Sequence, residues 1–582
     1  MINNKYPNIS PSLNLDFTNS NTIDPRISFS RASAATYYDG KTVAKAEENL
    51  LLGSQDFNGS WGKTNITVTA NAVTAPDGSV TASKIIATAT AGYHGSAHDR
   101  TITQGLPYTL SVYAKTGEYT KLHISDGSVA IFNAAFDLNG GTVISSGGTG
   151  IVSTTVVGVG NGWYRCSVTF NTTFFTSFQA SIVGYPDTGA TVGIYGTQYT
   201  GDGTSGIYIW GAQLEQRSQV TAYTPTTTQP ITNYIPVLQT ALANVPRIDH
   251  DPVTGECKGL LIEEQRTNLF TYSEFGSGLV GPVGLITLST MFGPTGLVNA
   301  ARFSHNGATD SFVYKGAAQA SVTNTVSVYV KMDDGLAPNI VEGQGSHPSN
   351  DFAIVVAGNT APVSSYQIQH VGNSVYRVSA SAVAGVTNLG NNGIVKYQGN
   401  SPRKFTTTAW QLEAGSFPTS YIKTEASQVT RAADSAQMTG ANFSSWWNPS
   451  SGTSFAEFST LHAAGVDTKT KGVFGVGPRL LYLNGDNTVG MTNGVTPLQQ
   501  GTVSLAGVAS KAASSYSTSA NAVSFNGLAA VNNTAGLGTI NSATSAFIGF
   551  DGGSVTVLNG CIKRITYYPK RLTDAQLQAL TA

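Results

Sequence analysis

Three groups of side chains in this sequence have the types and spacing from which chemistry could be built. Carboxylates are chain neighbours at Glu47-Glu48 and at Glu263-Glu264. Glycosidic cleavage needs two carboxyls facing each other across the bond, roughly 5 to 10 Å apart, which adjacent residues do not provide. Asp249-His250-Asp251 offers an acid/base or metal cluster. However, successive strand side chains point to opposite faces, so His250 cannot share a pocket with both aspartates. The Pro252 and Thr254-Gly255 that follow favour a turn. His94 and His98 have the i, i+4 spacing of helical metal ligands, but Gly92 and Gly95 argue for a loop. Neither a Gly-x-Ser-x-Gly elbow nor a phosphate-cradling loop is present. Cys166, Cys257 and Cys561 are far apart and fit no metal spacing, which leaves buried or incidental thiols. The expectation is a chain with no catalytic residues, no metal and no cofactor, and not an enzyme.

Binding is the chemistry that remains. A sugar needs exposed aromatic faces flanked by amides and carboxylates. Trp61, Tyr93, Trp163, Tyr195, Tyr199, Asp202 and Trp210 offer these in the first half, with His94 beside Tyr93. The expected glycan-binding set is Tyr93, His94, Tyr199, Asp202, Trp61 and Trp163. Its best members are Tyr93 and Tyr199, read as loop aromatics near Asp202 and His94. Trp210 and Trp410 stand beside a shared Gln-Leu-Glu and read as core or sheet-packing residues. Trp446-Trp447 reads as a sheet edge or an interface.

The elements that must position these residues are strands. Only 11% of the 582 residues are charged and 64 are glycine, a balance that favours short strands and tight turns. The net charge of −1 gives no electrostatic case for nucleic acid or anionic membrane. No stretch approaches the roughly 18 apolar residues of a bilayer span, so membrane insertion is not expected. The N-terminus lacks an apolar signal core, and thiols without disulfides suit synthesis in a reducing cytoplasm.

Trp210-Gly211-Ala212-Gln213-Leu214-Glu215, with Tyr223 eight residues on, returns as Trp410-Gln411-Leu412-Glu413 with Tyr421 eight residues on. Upstream landmarks return in the same order. Asn49, Ser54 and Phe57 answer to Asn268, Ser273 and Phe275; Pro76-Asp77-Gly78 to Pro294-Thr295-Gly296; Ser111 through Lys115 to Ser327 through Lys331; Asn161-Gly162-Trp163-Tyr164-Arg165 to Asn373-Ser374-Val375-Tyr376-Arg377. An ordered set of this kind marks a duplicated unit. The second copy has Val375 in place of Trp163 and no equivalent of Trp61. Each copy is too long for an immunoglobulin-like domain and reads as an antiparallel jelly roll.

The expected fold is all-β and multidomain: two repeated jelly-roll sandwiches and a C-terminal lectin-like β-sandwich. Residues 1–47 form an N-terminal arm and strands, 48–228 the first repeat and 229–266 a hairpin and strand module. Residues 267–431 form the second repeat and 432–582 the last sandwich. The first repeat reads as an insertion into a small module in which residues 13–46 pair with 229–266. Near the end, Thr573 caps a short helix that turns Leu577 and Leu580 toward the sheet.

Gly255-Glu256-Cys257-Lys258-Gly259-Leu260-Leu261-Ile262-Glu263-Glu264-Gln265-Arg266-Thr267-Asn268-Leu269 resembles a motif common in tail and other virion proteins of bacteriophages. Arg31-Ala32-Ser33-Ala34-Ala35-Thr36-Tyr37-Tyr38 usually precedes it there. The repeats resemble carbohydrate-binding-module-like jelly rolls. The C-terminal region resembles a laminin-G or concanavalin-A-like lectin sandwich through Ile565-Thr566-Tyr567-Tyr568-Pro569 and Leu572-Thr573-Asp574-Ala575-Gln576-Leu577. The resemblance implies a virion structural protein made in the host cytoplasm, a tail fibre or spike for host attachment. Its implied partners are host-surface glycan and, through the N-terminal region, other virion proteins. It also implies a homo-oligomer, with a trimer as the usual case. The alternatives are a purely structural decoration, collar or tail-tip protein whose sandwiches bind other subunits, and, further off, a polysaccharide depolymerase.

Overall fold

A computed structural model describes residues 9–19, 22–274, 286–305, 307–340, 346–463, 466–477, 481–492, 497–503, 506–534, 543–550 and 557–582. Phe275 and residues 1–8 of the expected arm lie outside them. The structure is all-β, as its composition requires, and falls into two compact units: Lys45–Tyr234, and Met1–Ala44 together with Ile235–Ala582.

In the Lys45–Tyr234 unit two sheets enclose one core. The first has the order Ile151–Gly160, Trp163–Phe170, Tyr108–Lys115, Gly206–Glu215, Ala82–Ala87, Ile66–Val73. The second runs Thr142–Gly147, Asn133–Asp137, Lys121–Asp126, Ser177–Tyr185, Ala91–Thr101, Thr197–Thr200, Thr191–Val192, with Gly62–Thr64 also on Ala91–Thr101. Alternation dictates what fills the space between them: Leu110, Val112 and Ala114 from one sheet meet Leu122, Ile124, Ala180 and Ile182 from the other, all buried.

The other unit contains the second copy. Its six-stranded sheet has the order Gln367–Gly372, Val375–Val383, Thr323–Met332, Phe405–Ala414, Gly296–Phe303, Ile286–Gly293. That is strand for strand the order of the first copy. The facing sheet has four strands, Ser311–Tyr314, Gly393–Lys396, Ala353–Val356 and Asn359–Thr360.

Equivalent side chains bind equivalent atoms in the two copies. Asn49 donates to the Ala212 and Thr224 carbonyls and accepts from the Leu51 and Leu214 amides. Asn268 does the same with Trp410, Ile422, Phe270 and Leu412. Glu215 accepts from the Thr221 amide and hydroxyl, and Glu413 from those of Thr419. The repeated Gln-Leu-Glu is therefore a clamp that fastens the chain after the closing strand onto the first residues of its own sandwich.

The two tryptophans beside it are not equivalent, which corrects the pairing read from their spacing. Aligned on Gln213 and Gln411, Trp210 corresponds to Thr408, and Ala212 to Trp410. A bulge lies between them in both copies, with Gly211 at φ 61° and Ala409 at φ 50°. Trp410 enters the main core of its sandwich, whereas Trp210 packs with Trp163, Ala75 and Ala82 in a separate small cluster.

The last sandwich recruits strands from far upstream. Leu13–Asp16 pairs with Gly560–Tyr568, which also carries Cys257–Ile262, and Ser28–Ser30 pairs with Ser435–Thr439. The expected pairing of residues 13–46 with 229–266 holds in part. Ala35–Tyr37 pairs with Gln239–Ala241 and Val43–Asn49 with Ile231–Pro236, whereas Leu13–Asp16, Ser28–Ser30 and Cys257–Ile262 join the sheets of the C-terminal sandwich. Trp446 is buried in that sandwich and Trp447 packs against its core, so neither forms an exposed edge. The terminal helix Asp574–Thr581 carries a full capping box on Thr573 and Gln576 and buries Leu577.

Arg31 and the segment before residue 269 meet in a buried ion network. Arg31 lies 3.0 Å from Asp434, Arg247 lies 2.6 Å from Asp434 and 2.7 Å from Glu263, and Arg431 lies 3.6 Å from Glu263; all five side chains are buried. Burial alone would raise the Glu263 pKa, but Arg431 and Arg247 outweigh it and hold the carboxyl at about 2. The residues that carry the virion-protein resemblance therefore fasten the N-terminal strands, the hairpin and the two sandwiches of this unit to one another.

Candidate functional site

The second sheet of the Lys45–Tyr234 unit carries a cleft of about 470 Å³. Strand alternation explains what lines it. In Ala91–Thr101, His94, Ser96 and His98 are buried, while Tyr93, Ala97 and Asp99 are not. In Ser177–Tyr185, Phe178, Ala180 and Ile182 enter the core, and the alternate residues Gln179 and Ser181 line the cleft.

Tyr93 and Tyr195 form the aromatic part of the lining, 46% and 49% exposed. The Tyr93 backbone is fixed by Asn65, whose Nδ2 donates to its carbonyl at 2.8 Å. Its ring lies against Gly196, where a Cβ would stand 3.3 Å from Cδ1, so a side chain there would press on the platform. Tyr195 sits in the tight turn closed by the Gly193 amide donating to the Gly196 carbonyl at 2.8 Å.

The remaining lining is polar: Thr64, His94, Ser128, Gln179 and Ser181, with Gly95, Ala97 and Gly127 keeping it open. Gln179 is held by its Nε2 donating to Asp99 Oδ1 at 2.9 Å, across the register pair Gln179–Asp99. Asp126 organises one rim: it accepts from the Ser128, Val129, Ile131 and Gln179 amides. Two exposed aromatic faces beside fixed amide and hydroxyl groups, with no charged side chain in the lining, suit a neutral polyhydroxylated ligand that also presents C–H faces.

Tyr93 therefore belongs to the site, although on a strand and not on a loop. Of the other five expected members, His94 also borders the cleft, with its ring turned inward, and the remaining four do not line it. Trp61 is 3% exposed, donates Nε1 to the Gly53 carbonyl and packs on Phe57 and His98. Trp163 is 2% exposed, with Nε1 donating to the Thr74 carbonyl. Both bury an aromatic body and satisfy the single indole donor, which is a core role. Tyr199 is buried in Thr197–Thr200, donates to the Gly184 carbonyl at 2.7 Å and stacks on His94 at 4.1 Å. Burial raises its pKa. The His94 side chain turns inward to that stack, with Nδ1 2.9 Å from the Gly92 carbonyl. Asp202 is exposed, but its carboxylate is occupied by Ser205 and Thr204, which hold its pKa below the usual range, and it does not line the cleft.

His94 and His98 lie in a strand, not the expected loop; among the described residues no cluster of His, Cys, Asp or Glu could hold a metal ion. Gln179, Ser181, Thr64 and Ser128 were not singled out from sequence. The one available signal was the alternation Ser177, Gln179, Ser181 against Phe178, Ala180, Ile182.

No family model and no curated protein matches the chain. Solved structures similar to it include a candidate carbohydrate binding protein from Bacteroides ovatus, at 9% identity and TM-score 0.20, covering 46% of this chain and 77% of that one. Trypanosoma rangeli sialidase matches at 9% identity and TM-score 0.22 over 90% of this chain and 98% of its own. The LG1-3 region of the laminin alpha2 chain matches at 11% identity and TM-score 0.18, over 84% and 97%. Such low scores carry no activity from any of the three to this chain. Because a sialidase stands among these structures, the expectation that the chain is not an enzyme is corrected and forms no part of the functional reading.

Proposed function

We propose that this chain binds glycan in the cleft beside Tyr93 and Tyr195, and that it does so as a tail fibre or spike of a bacteriophage virion, attaching the particle to host-surface sugar. One observation carries the binding reading: two half-exposed tyrosines share a concave sheet face with held amide and hydroxyl groups. Most aromatic side chains of this unit are spent on its core, so two left exposed at one cleft are set apart for a ligand. The virion reading rests on the resemblance at residues 31–38 and 255–269. Attachment by individually weak sites would gain from a homo-oligomer, a trimer being the usual arrangement, in which several clefts act together.

A glycan array probed with the full chain tests the proposal. Binding that is lost on Tyr93→Ala and Tyr195→Ala supports it, and silence from the array opposes it.

One observation favours the second reading, a structural subunit whose sandwiches bind neighbouring virion proteins. The edge strand Ile151–Gly160 exposes Val152, Val157 and Val159 and carries no charged residue along its length. Such an edge is a template for pairing with another chain. Imaging that places this strand at a subunit junction, with the cleft occluded, would favour that role over attachment.

A further inference from the structure

The C-terminal sandwich holds a buried lysine whose amine meets both an asparagine and an aspartate. Lys471 opens the strand Lys471–Val476, and Asn487 lies in the turn between Leu481–Leu483 and Thr488–Thr492. Their side chains meet with Lys471 Nζ 3.3 Å from Asn487 Oδ1. Asp467 Oδ2 stands 3.6 Å from the same Nζ. Lys471, Asn487 and Asp467 are 1%, 0% and 8% exposed.

The backbone forces this approach. Gly485 lies so close to the Thr468 carbonyl that a Cβ would overlap it, which presses the turn bearing Asn487 onto the segment bearing Asp467. Asn487 is itself left-handed, at φ 62°, and is fixed by its amide donating to the Asn484 carbonyl and its own carbonyl accepting from Val503. The carboxamide orientation is set as well, with Nδ2 donating to the Val503 carbonyl at 3.4 Å.

We infer that Lys471 and Asn487 form an intramolecular isopeptide bond. Lys471 Nζ, as the free amine, adds to Asn487 Cγ, and Asp467 accepts the proton that Nζ sheds. The Cγ–Nδ2 bond then breaks, Asp467 returns the proton to the departing nitrogen, and one ammonia leaves. The product is a secondary amide between Nζ and Cγ. Nothing is oxidised or reduced, and no co-reactant is needed.

The surroundings favour each step. Burial lowers the Lys471 pKa despite the opposing Asp467 carboxylate, which raises the fraction of free amine. The fixed contact replaces a bimolecular encounter. His462 Nε2, buried and without a hydrogen-bond partner among the described residues, lies 4.0 Å from Asp467 Oδ2 and can serve as a second station for the proton.

Intact mass and peptide mapping of the purified full chain test this. The bond predicts a mass lower than the sequence requires by one ammonia, and a branched peptide joining the stretch that holds Lys471 to the stretch that holds Asn487. Lys471→Arg and Asp467→Asn should each restore the full mass and the two linear peptides. A wild-type chain at full mass, cleaved by trypsin after Lys471 and giving Asn487 in a linear peptide, overturns the inference. So does an ammonia loss mapped to any other asparagine. The wild-type result decides even if a variant fails to fold.

Discussion

The Tyr223 hydroxyl lies 2.6 Å from the Ser54 hydroxyl, joining the two ends of the first sandwich's sequence. The second sandwich repeats the relationship, with Tyr421 2.7 Å from Ser273. Together with Asn49 and Asn268, these pairs close each sandwich at the point where its chain enters and leaves. A domain closed in this way can be duplicated as one piece, while its outward sheet face is free to diverge.

That closure has a measurable worth. Asn49 serves two carbonyls and two amides from a fully buried position. Asn49→Ala leaves those groups without partners, at about 1–3 kcal/mol for a buried unsatisfied group. The expected loss is at least roughly 3 kcal/mol, seen as a lowered melting transition of the full chain. Asn268→Ala should lower stability by a comparable amount through the equivalent contacts.

Core and cleft aromatics should separate cleanly. Trp61→Ala is expected to cost about 3–5 kcal/mol, the usual loss for a large buried aromatic. Tyr93→Ala and Tyr195→Ala, on half-exposed side chains, should stay within about 0.5 kcal/mol of the parent. Calorimetry on the three variants checks the contrast.

His123 makes the first sandwich acid-sensitive. It is buried, with Nδ1 on Thr197 Oγ1 at 2.9 Å, and burial lowers its pKa from 6.5 to about 4. The folded state thus holds the neutral ring while the unfolded chain takes a proton. Stability is full above about pH 6.5 and falls as pH drops toward about 4, by roughly 3 kcal/mol in total. Melting curves across that range should show the decline, and His123→Gln should flatten it.

Glu263 adds a second acid window in the other unit. Its carboxyl is held at about 2 against an ordinary 4.5. The stability it contributes is present above about pH 4.5 and is lost as pH falls toward 2. Glu263→Gln should remove that dependence. At neutral pH it should also destabilise by about 3–5 kcal/mol, because Arg431 would remain buried without its carboxylate and Arg247 would keep only Asp434. Denaturant titration at pH 7 measures the second effect directly.

Local features of the fold were legible in the sequence and long-range ones were not. Alternation located strands such as Tyr108–Lys115, and spacing paired Asn49, Ser54 and Tyr223 with their second copies, because these patterns are written within one element or one repeat. The partner of Leu13–Asp16 lies more than five hundred residues away in Gly560–Tyr568, and nothing local to either strand names the other. At the site, Tyr93 was legible as an aromatic near His94, though as part of a loop and not of the strand Ala91–Thr101 that holds it. Trp61 and Trp163 also entered the expected set, since a tryptophan's sequence neighbours do not reveal which face of its strand is covered. His94 borders the cleft, but alternation turns its ring inward to Tyr199 while the residue before it faces outward, which its sequence neighbours do not reveal.

The most direct test is the affinity of the full chain for the glycan selected on the array, measured for wild type, Tyr93→Ala, Tyr195→Ala and the double variant. Each single change should weaken binding by about tenfold, near 1.4 kcal/mol, with the melting temperature unchanged. Undiminished affinity in the double variant would contradict glycan binding in this cleft.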